Sequence, residues 1–104
     1  MEIKSFSKFF ENKILEGVTK ILDYLKSQGF TTYYDLIDLP RFDRDIVNIL
    51  IDEHCTTMDE VKELKFLLRL KLSNVKELQS MLKEYEDIED YTKCHIISQQ
   101  IKHL

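Results

Sequence analysis

The chain has no alanine and no tryptophan, one proline (Pro40), two glycines (Gly17 and Gly29) and two cysteines (Cys55 and Cys94). So little glycine and proline excludes the turn-dense punctuation of a sandwich or barrel. No apolar run approaches the roughly 18 residues that a membrane span requires, so no membrane contact is expected. The opening residues, MEIKSFSKFFENK, set charges between apolar positions and have no continuous apolar core. They are not read as a secretory signal, and a cytoplasmic location is expected. Two cysteines in such a chain read as free thiols in a reducing compartment. Alanine, glycine and proline share GC-rich codons, while isoleucine, lysine and leucine abound here. An AT-rich coding genome, as in many viruses, phages and some bacteria, is the simplest account. A phage or viral origin is one reading of this, with the host cytoplasm as the location in that case, and the missing alanine says little about structure.

The 104 residues suit one domain with a workable core. A hydrophobic fraction of 43% beside 33% charged residues is that of a folded helical protein. The net charge of −4 argues against a general nucleic-acid binder.

Apolar periodicity predicts an all-α fold of about five helices in a small helical bundle. The first helix is expected from Ser5 or Ser7 to Gln28, with Phe6, Phe10, Ile14, Val18, Ile21, Leu22 and Leu25 on one face. Gly29 suits the left-handed residue that ends it. Gly17, inside the helix, marks either a close helix contact or nothing. Thr32 and Asp35 resemble a capping box for a short helix over Tyr33 to Asp38, which Pro40 stops. Asp43 is expected to cap a third helix running to Glu53, with Ile46, Val47, Leu50 and Ile51 inward. Thr57 and Glu60 repeat the capping grammar of Thr32 and Asp35, 25 positions later.

From Met58 to Tyr85 the chain can form one long central helix, with Val61, Leu64, Leu68, Val75, Leu78, Leu82 and Tyr85 on an a/d ladder that Lys71 interrupts. Asn74 with Glu77 would instead restart a helix after a break at Ser73. The alternation of Phe66, Leu68, Leu70 and Leu72 also fits a strand, but a lone strand would have no partner. The last helix begins near Ile88 to Asp90, with a stripe of Tyr91, Cys94, Ile97, Ile101 and Leu104. Residues 1–56 thus make an N-terminal helical part, and 57–104 a long helix plus the last helix, within one compact domain.

The stretch from Leu78 to Leu104, LQSMLKEYEDIEDYTKCHIISQQIKHL, resembles the UVR motif, a helical hairpin found at the ends of the repair proteins UvrB and UvrC. Glu89, Asp90, Tyr91 and Lys93 match its Glu-Asp-Tyr-Glu-Lys core. Cys94 stands at a small-residue position, Ile97 at a leucine, and Ile101, Lys102 and Leu104 at its close. Thr92, His95, Ser98 and Gln99 depart, and with them the motif's Arg-Asp pair is lost. The resemblance implies a hairpin that docks on another protein or on a copy of itself, and it implies no catalysis.

The chemical candidates are few. His54-Cys55 and Cys94-His95 form a conceivable zinc set, but adjacent helix residues diverge by about 100° and spaced Cys-x-x-Cys pairs are missing. Buried cysteine is the plainer reading, and no metal or cofactor is expected. Glu84, Glu86, Asp87, Glu89 and Asp90 crowd one turn without the central glycine of a calcium loop, and read as solvated and helix-start charges. Lys62, Lys65, Arg69, Lys71 and Lys76 give segment 62–76 a net charge of +4 against Glu63 alone. This is the nucleic-acid candidate, but a solvated face is preferred because no aromatic platform accompanies it beyond Phe66. Tyr33-Tyr34 and Phe9-Phe10 are candidate anchors, each pair expected to split between core and surface. No phosphate loop or nucleophile motif occurs, and no enzyme activity is expected.

The function expected is a non-enzymatic protein–protein interaction module, an adaptor or modulator, with Tyr85, Tyr91, Ile97, Ile101 and Leu104 as the partner surface. Its partner would be another protein or a second copy. A structural subunit of a larger assembly such as a virion, and a nucleic-acid-associated accessory protein, are the alternatives.

Overall fold

The computed structural model of the chain describes residues 9–104. The described residues form six helices and no strand: α1 (Asn12–Ser27), α2 (Tyr33–Ile37), α3 (Arg41–His54), α4 (Met58–Leu72), α5 (Val75–Asp87) and α6 (Tyr91–Lys102). The all-helical reading holds. The sixth helix arises because the Met58–Tyr85 stretch is two helices. The expected helical start at Ser5 or Ser7, and Phe6, lie outside the described residues. Phe9 and Phe10 are not helical, and α1 begins only at Asn12 after an extended Glu11. Phe10 instead lies near Phe66 of α4, with ring centroids 6.5 Å apart.

Packing divides the described residues into two units, one running through α4 to Leu72 and one from Ser73 to Leu104. In the first unit α1 is the shared support, with both α3 and α4 packed against it. Ile14, Val18, Ile21 and Leu25 are buried on α1 at steps of three and four, as the periodicity requires. Gly17 lies in this face because α3 and α4 meet α1 there. A Cβ at Gly17 would stand 2.9 Å from His54 Cβ and 3.0 Å from Leu64 Cδ1. Val47 and Ile51 of α3 are buried as expected, while Ile46 and Leu50 are half-buried. Central placement belongs to α1; α4 is nonetheless buried on more than one side, through Leu64, Phe66, Leu67, Leu68 and Leu70.

Helix ends account for the rest of the first unit. Gly29, at φ 84°, closes α1 with two wrapped bonds, Phe30 N–H to the Leu25 carbonyl (2.8 Å) and Gly29 N–H to the Lys26 carbonyl (3.0 Å). Thr32 and Asp35 form the expected capping box of α2. The Asp35 carboxylate accepts from the Thr31 and Thr32 amides, and these bonds hold its pKa below the usual range. Asp43 does not cap α3. Pro40 holds that position, and Asp43 sits inside the first turn, accepting a 2.7 Å bond from the Tyr24 hydroxyl of α1.

The second capping grammar acquires a tertiary role. Glu60 Oε1 accepts from the Thr56 amide (2.8 Å), the Thr56 hydroxyl (2.8 Å) and the Thr57 amide (3.2 Å). Its other oxygen lies 2.6 Å from Lys13 Nζ on α1. The lysine first, then the threonine donors, pull the Glu60 pKa from 4.5 to about 2.

The second unit begins at a real break. Asn74 is extended, its Oδ1 accepts from the Glu77 amide (2.9 Å), and the Glu77 carboxylate accepts from the Asn74 amide (2.9 Å). This reciprocal box starts a new helix and resets the apolar phase. Val75, on the ladder of a continuous helix, is exposed, while Leu78 and Met81 are buried. α5 and α6 pack on each other as a hairpin. Glu89 supplies its left-handed turn residue at φ 59°, the role Gly29 has after α1. Asp90 N–H to the Tyr85 carbonyl (2.9 Å) and Glu89 N–H to the Glu86 carbonyl (3.0 Å) wrap the end of α5.

Two predictions follow from the first unit's packing. Replacing Gly17 by alanine gains about 1 kcal/mol of helix propensity but overpacks the contact with the stiff Cβ of His54, at a cost of about 1–3 kcal/mol. A lowered urea midpoint is expected. The depressed pKa of Glu60 means that its contribution is complete above pH 4.5 and disappears as pH falls towards 2. Urea midpoints across this range should show Glu60→Gln below the wild type at neutral pH, with the two curves converging in acid.

Candidate functional site

The expected partner surface lies in the hairpin, and the fold divides its members. Ile97 has no exposed surface at all, whereas Tyr91 is 67% exposed. Ile97 is therefore core and leaves the candidate surface. Tyr85 and Ile101 are half-buried, and Leu104 is exposed beyond the end of α6. The buried stripe of α6 is Ile96, Ile97 and Gln100, one step round the helix from the stripe read through Cys94 and Ile101. Gln100 misled the reading, being polar yet only 3% exposed, with an Oε1 that has no hydrogen-bond partner.

Around the turn the exposed apolar surface is larger than expected. Ile88, absent from the candidate set, is 68% exposed as the residue that ends α5, three positions before Tyr91. It was legible only as an apolar residue in an acidic turn. Lys93 stands over the Tyr85 ring at 5.8 Å and is ion-paired with Asp90 at 3.0 Å. Asp90 also accepts the Lys93 amide bond that caps α6, and these two contacts with Lys93 lower its pKa. The acidic run is thus a helix cap plus exposed Glu84, Glu86, Asp87 and Glu89.

The basic candidates differ in burial and in the helix that carries them. Lys62 and Lys65 are exposed and share a face of α4 with Arg69, whose guanidinium lies 5.2 Å above the Tyr33 ring. Lys71 projects elsewhere and is half-buried; burial first, then Lys26, lowers its pKa. Lys76 is exposed on α5, in the other unit. Tyr34 is exposed as expected of one member of that pair, but Tyr33 is half-buried and not core, and Phe9 and Phe10 are both half-buried.

Among the described residues no group of three or more His, Cys, Asp or Glu side chains could hold a metal ion. His54 Nδ1 lies 2.8 Å from the Leu50 carbonyl, and Nε2 of His95 lies 3.0 Å from the Gln99 amide nitrogen. Both cysteines are free thiols, and burial raises the pKa of each. None of the described helices is long and apolar enough to cross a membrane.

No family model, curated protein or solved structure matches this chain.

The unpaired Gln100 acceptor generates a stability test. A buried acceptor without a donor costs about 1–3 kcal/mol. Gln100→Leu keeps the volume and removes the acceptor, so its thermal midpoint should rise above that of the wild type. Gln100→Ala, which leaves a cavity, should lower it.

Proposed function

We propose that the protein is a non-enzymatic interaction module whose C-terminal hairpin, α5 and α6, presents its turn to a protein partner. The single observation that carries this reading is the pairing of Ile88 and Tyr91, both more than two-thirds exposed, on either side of a tightly wrapped turn. An isoleucine and a tyrosine held by fixed helix ends lose little entropy on docking, and tyrosine is a frequent anchor at interfaces. Half-buried Tyr85, ordered beneath Lys93, extends the apolar surface, and Glu86, Asp87 and Glu89 give it an acidic rim suited to a partner with basic residues. Ile101 and Leu104 sit towards the other end of α6 and contribute to a wider contact.

The resemblance to the UVR motif supports the same reading, since that motif is a docking hairpin. The missing Arg-Asp pair directs attention to the turn, away from charge pairs on the body of α6. A cytoplasmic, phage- or virus-encoded modulator of a host protein is the setting that the amino-acid composition and the residue pattern suggest.

The test uses exposed positions whose loss leaves the hairpin folded. Ile88→Lys and Tyr91→Glu should keep the helical circular dichroism and the thermal midpoint close to wild type, since exposed substitutions usually change stability by about 0.5 kcal/mol or less. Capture of a defined partner from the native host should fall at least about tenfold, as expected for anchor residues. Unchanged capture by both variants would remove the turn as the docking surface.

A further inference from the structure

We propose that the chain associates with a second copy of itself by pairing an acidic, apolar face of α3 with a basic face of α4. Both faces lie in the first unit, so the inference is independent of the hairpin.

On α3 the outward residues Phe42, Asp45, Ile49 and Asp52 recur at steps of three and four, which places them along one side of the helix. Phe42 is 72% exposed and Ile49 53% exposed, so two large apolar side chains form a ridge beside two carboxylates. The buried side of the same helix, through Asp43, Val47 and Ile51, is already covered. Arg41 stands at the N-terminal margin of the ridge and leaves its middle and far end acidic.

On α4 Met58, Lys62, Lys65 and Arg69 recur at steps of four, three and four, along one side of that helix. Met58 is exposed at the head of the stripe, and Lys62 and Lys65 are exposed behind it. Arg69 is half-buried under the influence of Tyr33, whose ring holds its guanidinium in place. Half-buried Val61 and Leu72 flank the stripe and give it an apolar edge.

The two faces correspond in charge and in spacing. Asp45 and Asp52 are seven positions apart, as are Lys62 and Arg69, and each interval spans about 10.5 Å of helix. With the helices of two copies side by side and running in the same direction, Asp45 meets Lys62 and Asp52 meets Arg69. The same register brings Phe42 beside Met58 and lays Ile49 along the aliphatic stem of Lys65. Each exposed ion pair adds little by itself, so the association should be weak and salt-sensitive, with the apolar contacts supplying the remainder. A contact between unlike faces repeats from copy to copy unless symmetry closes it.

Charge reversal on the full chain tests both sides of the contact. Wild-type protein should sediment above monomer mass at low salt and return to monomer at about 1 M salt, where the screening length is about 3 Å. The double variant Asp45→Lys with Asp52→Lys, and the double variant Lys62→Glu with Lys65→Glu, should each be monomeric at low salt with unchanged helical circular dichroism. Mixed in equal amounts, the two variants should associate again, because the unreversed α3 face of the second variant meets the unreversed α4 face of the first. Recovery at least about tenfold above either variant alone is expected of complementary faces. A monomeric wild type at low salt, association that survives either reversal, or a mixture that stays monomeric would overturn the proposal. So would salt-sensitive binding of a mixed-sequence duplex oligonucleotide that is lost with Lys62→Glu and Lys65→Glu while self-association persists, since the basic stripe would then serve nucleic acid.

Discussion

The first unit depends on the absence of one side chain. At Gly17 the backbone of α1 is approached by His54 from α3 and by Leu64 from α4, at distances that leave no room for a methyl group. Three helices can share one contact only where the central one is thinnest. The glycine costs helix propensity locally, and the close packing it permits offsets that cost through burial of the flanking Ile14, Val18 and Ile21. Two polar links reinforce the same geometry. Tyr24 joins α1 to Asp43 of α3, and Lys13 joins α1 to Glu60 at the start of α4.

Helix ends in this protein do more than stop helices. Glu60 uses one carboxylate oxygen to cap α4 and the other to bind α1, so a local signal also carries tertiary information. Asp35, the corresponding residue 25 positions earlier, caps α2, a helix that buries none of its residues. The difference lies in what stands opposite each cap, since Glu60 has Lys13 within reach. Asn74 and Glu77 show the third use. Their reciprocal bonds end one apolar phase and begin another, which turns a potential long helix into α4 and a separate hairpin.

The surfaces left over carry exposed apolar side chains and faces of opposite charge. Apolar side chains stand exposed at the hairpin turn and along α3. Acidic side chains lie beside the ridge of α3 and basic ones along one side of α4, so faces of opposite charge are segregated. Such segregation costs nothing in the fold because both faces are solvated, and it leaves the net charge of the chain small.

The amino-acid sequence by itself determined the helical class, the ends of most helices and the buried stripe of α1, because period, capping residues and glycine act over a few neighbouring positions. Thr32, Gly29 and Asp90 could be read directly from those local rules. Only the tertiary structure decided between a continuous and a broken helix at Ser73, since both were locally consistent and the choice rests on what each half packs against. It also turned Asp43 from a cap into the partner of Tyr24, and moved Ile97 from the surface to the core by burying Gln100 beside it. Periodicity counts apolar residues and cannot see a glutamine that is buried. Nor can it tell which exposed isoleucine another helix will cover, because burial belongs to the neighbours and not to the residue.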